Sequence, residues 1–139
     1  LPLPGRLQVA WKHAVKEGAF EATPIIAHGL VYVGDMDGTF FAFDLTTGHK
    51  RWHFASDAGF SAPAAADRRR VFFGDFDGRF RCLDAATGTL QWDYQVDAEI
   101  DGGPNGAAIG PDGLIYLCNN GGCFTAADMM GGTCTVPAA

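Results

Sequence analysis

Short apolar runs separated by glycine turns recur along this chain in a fixed order. Val31-Tyr32-Val33 is apolar on both faces, as in a strand covered on both sides. Asp37-Gly38 then turns the chain into Phe40-Phe41-Ala42-Phe43, and Thr47-Gly48 turns it again into a last run ending at Trp52. The same order returns as Val71-Phe72-Phe73, Asp77-Gly78, Phe80-Arg81-Cys82-Leu83, Thr87-Gly88 and Trp92. From Gly34 to Gly74, Asp44 to Asp84 and Trp52 to Trp92 the offset is 40 residues each time. The runs are too short for ordinary helices and rich in β-branched and aromatic residues. A further strand around Pro24 and Pro63 brings each copy to four. Four short strands per 40-residue unit predict an all-β, β-propeller architecture, in which no unit buries its apolar faces alone.

The rest of the chain fits that frame less regularly. Trp11 stands 41 residues before Trp52, so residues 7–15 are expected as the last strand of a preceding blade. Residues 16–55 then form blade 1, 56–95 blade 2 and 96–136 a degenerate blade 3, all within one partial propeller domain spanning 1–139. In the third copy Ile115-Tyr116-Leu117-Cys118 precedes a turn, Asp128 keeps its place, but Gly131 replaces Thr and Val136 replaces Trp. Spacing there stretches to 44, from Gly74 to Cys118, through a glycine-rich segment.

Ala42-x-Asp44-x-x-Thr47-Gly48-x-x-x-Trp52 and Cys82-x-Asp84-x-x-Thr87-Gly88-x-x-x-Trp92 closely resemble the tryptophan-docking motif of pyrroloquinoline-quinone-like (PQQ-like) β-propellers. That family includes quinoprotein alcohol dehydrogenases and outer-membrane assembly propellers of the BamB type. The resemblance covers about residues 7–136 and implies a docking set of Trp11, Asp44, Thr47, Gly48, Trp52, Asp84, Thr87, Gly88, Trp92 and Asp128. It implies that each Trp packs between neighbouring blades, its ring apolar and its N–H within reach of a backbone carbonyl. A WD-type propeller is the near competitor, because Trp92-Asp93 is a WD pair and Gly48-His49 a GH pair. The other copies give Trp52-His53 and Trp11-Lys12, and the GH pair sits only three residues before Trp52.

Length and charge narrow the function. The 139 residues hold about three and a half units, whereas closed propellers need about four to eight blades. The chain is therefore expected to be part of a longer or processed protein. As an open arc it is expected to self-associate, or to need missing blades or a partner chain. A net charge of −6 and a pI of about 4.9 disfavour nucleic acid. Asp67-Arg68-Arg69-Arg70, the only basic run, reads as a solvated turn. No stretch approaches the length of a transmembrane segment.

Four cysteines without a Cys-x-x-Cys pair are neither a disulfide scaffold nor a zinc ribbon. Cys82 reads as a small buried hydrophobe. Cys118 and Cys123 bracket a turn and should face each other across a hairpin, as a bridge or as two thiols. An exported, periplasmic or cell-envelope location, which the resemblance implies, permits the bridge.

Candidate chemistry is sparse. Asp35-Met36-Asp37-Gly38 and Asp75-Phe76-Asp77-Gly78 look like pieces of a calcium loop, yet no Glu closes a twelve-residue set, and Asp-capped hairpins explain them. His13, His28, His49 and His53 lack metal-ligand spacing. The enzymatic reading is a fragment of a PQQ-dependent quinoprotein alcohol dehydrogenase, with PQQ and calcium completed by residues elsewhere. Against it stand the absence of an adjacent Cys pair and the use of all three tryptophans by the repeat motif. The other reading is a non-catalytic protein-binding scaffold with no cofactor, no catalytic residues and no metal site, to which loop residues Met36, Phe60 and Phe76 would add apolar contacts.

Overall fold

The computed structural model describes residues 5–95, 107–118, 124–128 and 134–135. Among these there is no helix, and twelve strands form three antiparallel sheets of four. The first sheet is β1 (Ile25–Ala27), β2 (Leu30–Gly34), β3 (Thr39–Asp44) and β4 (Lys50–Ala55), paired in chain order. The second is β5 (Ala65–Ala66), β6 (Arg70–Gly74), β7 (Arg79–Asp84) and β8 (Leu90–Gln95). The third is β9 (Ala107–Ile109), β10 (Leu114–Cys118), β11 (Phe124–Asp128) and β12 (Cys134–Thr135). Up-and-down sheets of this kind, stacked face to face, are blades of a β-propeller.

Strand alternation explains the stacking. Leu30, Tyr32, Phe40, Ala42 and Trp52 leave blade 1 on one side and meet Val71, Phe73 and Leu83 of blade 2 in a single buried cluster. The opposite face of blade 2 presents Phe72, Phe80 and Cys82 to Ile115 and Leu117 of blade 3. Because both faces of the middle sheet are covered, β6 reads as an uninterrupted apolar run, Val71-Phe72-Phe73, all three buried. Phe40 and Phe73 stack nearly parallel across the first interface, 3.7 Å between centroids at 7°.

The segment expected as a strand at 7–15 forms no ladder. No strand lies beside it among the described residues, so its side chains rather than its backbone hold it to blade 1. Trp11, His13 and Phe20 lie against Phe41 and Phe43, with centroids 4.7–6.0 Å apart. Phe60, expected as a surface loop residue, is fully buried. It sits edge-on to Phe40 and Phe73 and over Gly34, where an added Cβ would stand 2.4 Å from its own Cβ. The linker carrying Phe60 is thus part of the core between blades.

Candidate functional site

The loops between third and fourth strands place the docking residues. In blade 1 the Asp44 carboxylate accepts the N–H groups of Thr46 and Thr47 at 3.0 and 2.9 Å, and Gly48 N–H donates to the Asp44 carbonyl. In blade 2 Asp84 accepts from Ala86 and Thr87 at 2.9 and 3.0 Å, and Gly88 closes the turn in the same way. Thr47 and Thr87 use their hydroxyl oxygens to accept the next N–H but one, of His49 and Thr89. These are Asx and Ser/Thr turns, the local bonding for which Asp and Thr are suited. The donors, led by the N–H of Thr47 and of Thr87, hold both carboxyls below the usual carboxylate range.

Gly48 and Gly88 take φ of +75° and +74°, a region L side chains rarely adopt. Each also lies under an indole from the preceding unit: a Cβ on Gly48 would meet Trp11 at 2.5 Å, and one on Gly88 would meet Trp52 at 2.6 Å. Trp11 Nε1 donates to the Leu45 carbonyl at 3.0 Å, and Trp52 Nε1 to the Ala85 carbonyl at 2.9 Å. Trp52 is buried, while Trp11 and Trp92 are half-buried. Trp92 packs on Phe72 and Phe80, with centroids 5.9 and 6.2 Å away. Both β3–β4 and β7–β8 carry a bulge next to the turn, with Arg51 and Gln91 as the extra residues. Asp128 ends β11 opposite Leu114, and Cys118 ends β10 opposite Phe124. Cys123, and with it the possible Cys118–Cys123 bridge, lies outside the described residues, as do Gly131 and Val136.

The Asp-x-Asp-Gly hairpins are buried polar caps. Asp35 Oδ1 accepts from the N–H groups of Asp37 and Thr39, and Asp75 Oδ1 from those of Asp77 and Arg79. Asp75 does more, since its Oδ2 accepts the Ser56 hydroxyl at 2.7 Å and the Arg81 guanidinium at 2.6 Å. That guanidinium lies 5.2 Å over the Phe54 ring of blade 1, so one buried ion pair joins the two blades. With both oxygens committed and a guanidinium alongside, Asp75 does not suit calcium. Among the described residues no three His, Cys, Asp or Glu side chains converge as a metal site. Nor do the tryptophans fit a quinone floor, because Trp11 and Trp52 are seated on turns and Trp92 lies between blades. Burial pushes the Cys82 thiol up to about 12, which leaves it protonated and unreactive.

The largest concavity opens at the end of the blades that carries the docking turns. About 660 Å³ in volume, it lies between blades 1 and 2 and is rimmed by His28, Arg51, Arg68, Arg69, Asp44 and Asp84. Leu45 N–H bonds to Gly29 O and Ala85 N–H to Arg69 O, which ties the first and third turns of each blade into one rim. His28, at φ +57°, spans the gap: its Nε2 donates to the Asp67 carbonyl at 2.6 Å, and its Nδ1 lies 2.9 Å from the Tyr32 hydroxyl. Burial foremost, and then Asp84, push the Tyr32 hydroxyl up to about 12, so it stays neutral. The basic run is the turn expected from the sequence, with Asp67 accepting from the backbone of Arg69 and Arg70 and from the Arg70 side chain. Its placement beside Arg51 and His28 could not be read from the sequence, because their numbers differ by 17 to 41.

Comparison with known proteins accords with this geometry. A family model described as outer membrane protein assembly factor BamB matches residues 8–110. The crystal structure of BamB from Moraxella catarrhalis is 30% identical over 91% of this chain, with a TM-score of 0.73. Quinohemoprotein alcohol dehydrogenase from Comamonas testosteroni is 22% identical over 86% of the chain, at TM-score 0.68, and shows the shared fold alone. The computationally designed Ika4 protein, at 17% identity, superposes on 92% of the chain with a TM-score of 0.78. A search of the curated proteins gives no match. The chain spans 39% of the BamB chain, 21% of the dehydrogenase and 77% of the designed protein. With the docking turns in place and most of its length matched by one family model, this chain belongs to the BamB family of PQQ-like β-propellers.

Proposed function

We propose that this protein is a non-catalytic scaffold, a propeller that binds another protein in the manner suggested by a family described as an outer-membrane assembly factor. The match of that family model over residues 8–110 carries the reading. The geometry supports it, because the motif residues are occupied in joining blades. Trp11 and Trp52 are fixed by carbonyls, and Asp44, Asp84 and Asp75 by turn donors and an arginine. Turns and linkers, not a funnel of reactive groups, are then the working surface. A cell-envelope location, a partner chain or further blades, and no cofactor go with this reading.

The competing reading is a portion of a quinoprotein dehydrogenase holding PQQ and calcium. The test is to express the full-length protein that contains this chain, add PQQ and calcium, and assay alcohol-dependent dye reduction while recording the quinone absorbance. The scaffold reading expects neither retained quinone absorbance nor turnover. Stoichiometric quinone with alcohol-dependent reduction would overturn it.

A further inference from the structure

We infer that the cleft between blades 1 and 2 is a docking site for a carboxylate-bearing peptide segment of a partner protein. The inference rests on the scaffold reading and specifies the surface and the chemistry it uses. The chain carries a net charge of −6, yet this cleft gathers three of its ten basic side chains, Arg51, Arg68 and Arg69. Two carboxylates share the rim, but both are spent. Asp44 is held by the Thr46 and Thr47 N–H groups and by Arg51 at 3.4 Å, and Asp84 by the Ala86 and Thr87 N–H groups and the Thr87 hydroxyl. Arg68 and Arg69 are exposed and, among the described residues, make no ion pair. Three guanidinium groups against two committed carboxylates leave one net positive charge and ten guanidinium N–H donors on Arg68 and Arg69 with no carboxylate to meet. Guanidinium forks match carboxylates in pairs of parallel bonds, which favours this class of anion.

The shape of the cleft decides between a free anion and a peptide. A small ligand is held when most of its surface is buried, whereas His28, Thr46, Arg51, Arg68, Arg69 and Ala86 are all exposed. An open trough of this kind offers a free dicarboxylate little beyond screened charge. An extended segment can lie along it, set two or more carboxylates on the arginines, and cover the rim with its backbone. The floor is already rigid. His28 bridges the two blades, and Trp52 is fixed to the Ala85 carbonyl directly beneath the rim.

The test uses fluorescein-labelled hexaglutamate, followed by anisotropy with the full chain at low and at physiological salt. Saturable binding is expected, weakening as salt rises. The variant Arg68→Ala/Arg69→Ala should weaken it about tenfold or more, the loss of one or two charge-assisted contacts. Arg79→Ala, which removes an exposed arginine paired with Asp93 away from the cleft, should leave it unchanged. Neither arginine of the double variant has a side-chain partner, and an unchanged circular dichroism spectrum and melting curve will show that it folds. Absence of binding, or equal weakening by Arg79→Ala, would overturn the inference. Competition by free glutarate at equal carboxylate concentration would also overturn it, by showing a small-anion site instead. Neither result bears on the quinone assay, so this inference and the scaffold reading fail separately.

Discussion

The chain contains the same joint twice, once in front of blade 1 and once between blades 1 and 2. In both, an indole lies on a glycine at φ near +75° and donates to the carbonyl three residues earlier, at 3.0 Å for Trp11 and 2.9 Å for Trp52. The linkers also correspond: Ala19 O accepts from Met36 N–H as Gly59 O accepts from Phe76 N–H. Around these matched contacts the surroundings diverge. Phe60 is fully buried, whereas its counterpart Phe20 is 38% exposed. Arg81 makes a buried ion pair at the second joint, where Phe41 stands at the first and stacks on His13. Seating an indole on its turn is therefore a local matter of turn and ring. The burial that makes the seat stabilising is supplied by the other three strands of the neighbouring sheet.

The two joints can be separated by substitution. Trp52→Ala should cost about 3–5 kcal/mol, as for a large buried ring. Trp11→Ala should cost about 1 kcal/mol, because half of that ring already meets water. Urea unfolding followed by circular dichroism measures both, and equal losses would end the distinction. Phe60→Ala should fall near 3 kcal/mol and Phe20→Ala below about 1 kcal/mol in the same assay. Gly88→Ala and Gly48→Ala meet the same φ penalty of about 1 kcal/mol and the same ring. Trp11 can swing outward and Trp52 cannot, so Gly88→Ala should add about 1–3 kcal/mol of overpacking and red-shift the indole emission.

The smallest effect concerns what the joints share. Asp44 and Asp84 have pKa values lowered in the fold, chiefly by the N–H groups of Thr47 and Thr87. A folded-state pKa below the unfolded one contributes stability that is complete above the ordinary carboxylate pKa of about 4. That contribution is lost as pH falls through the lowered value. Melting temperature should therefore drop as pH is taken from about 5 to 2, and Asp44→Asn or Asp84→Asn should flatten that drop to similar degrees. A strong inequality between the two would show that burial, and not the turn, sets these carboxyls.

The sequence made the blades legible because turns and apolar runs recur every 40 residues with their physical causes attached: Gly at positive φ, Asp bonding the next amides, Trp facing a sheet. The linker was harder to see. Gly18-Ala19-Phe20-Glu21-Ala22 and Ala58-Gly59-Phe60-Ser61-Ala62 repeat the same offset, and this was the signal for a buried Phe60. The ion pair of Arg81 with Asp75 left no trace in a pattern built on apolar positions, since alternation assigns an arginine to solvent. The lack of a ladder at 7–15 followed from the absence of a neighbouring strand, which no local preference encodes. The cleft was the least legible feature, because it is assembled from turns of two blades that only the stacking of sheets brings together.

The glycine beneath each indole has a consequence for how such a chain can grow. Every 40-residue stretch from one Trp to the next contains both a plug, the indole, and a socket, the Asp-x-x-Thr-Gly turn that receives the indole before it. An in-frame duplication of that length inserts a unit whose two ends already fit its neighbours, with no compensating change required on either side. Lengthening by whole units is thus a single genetic event. A change to one glycine damages a single joint and leaves the others intact.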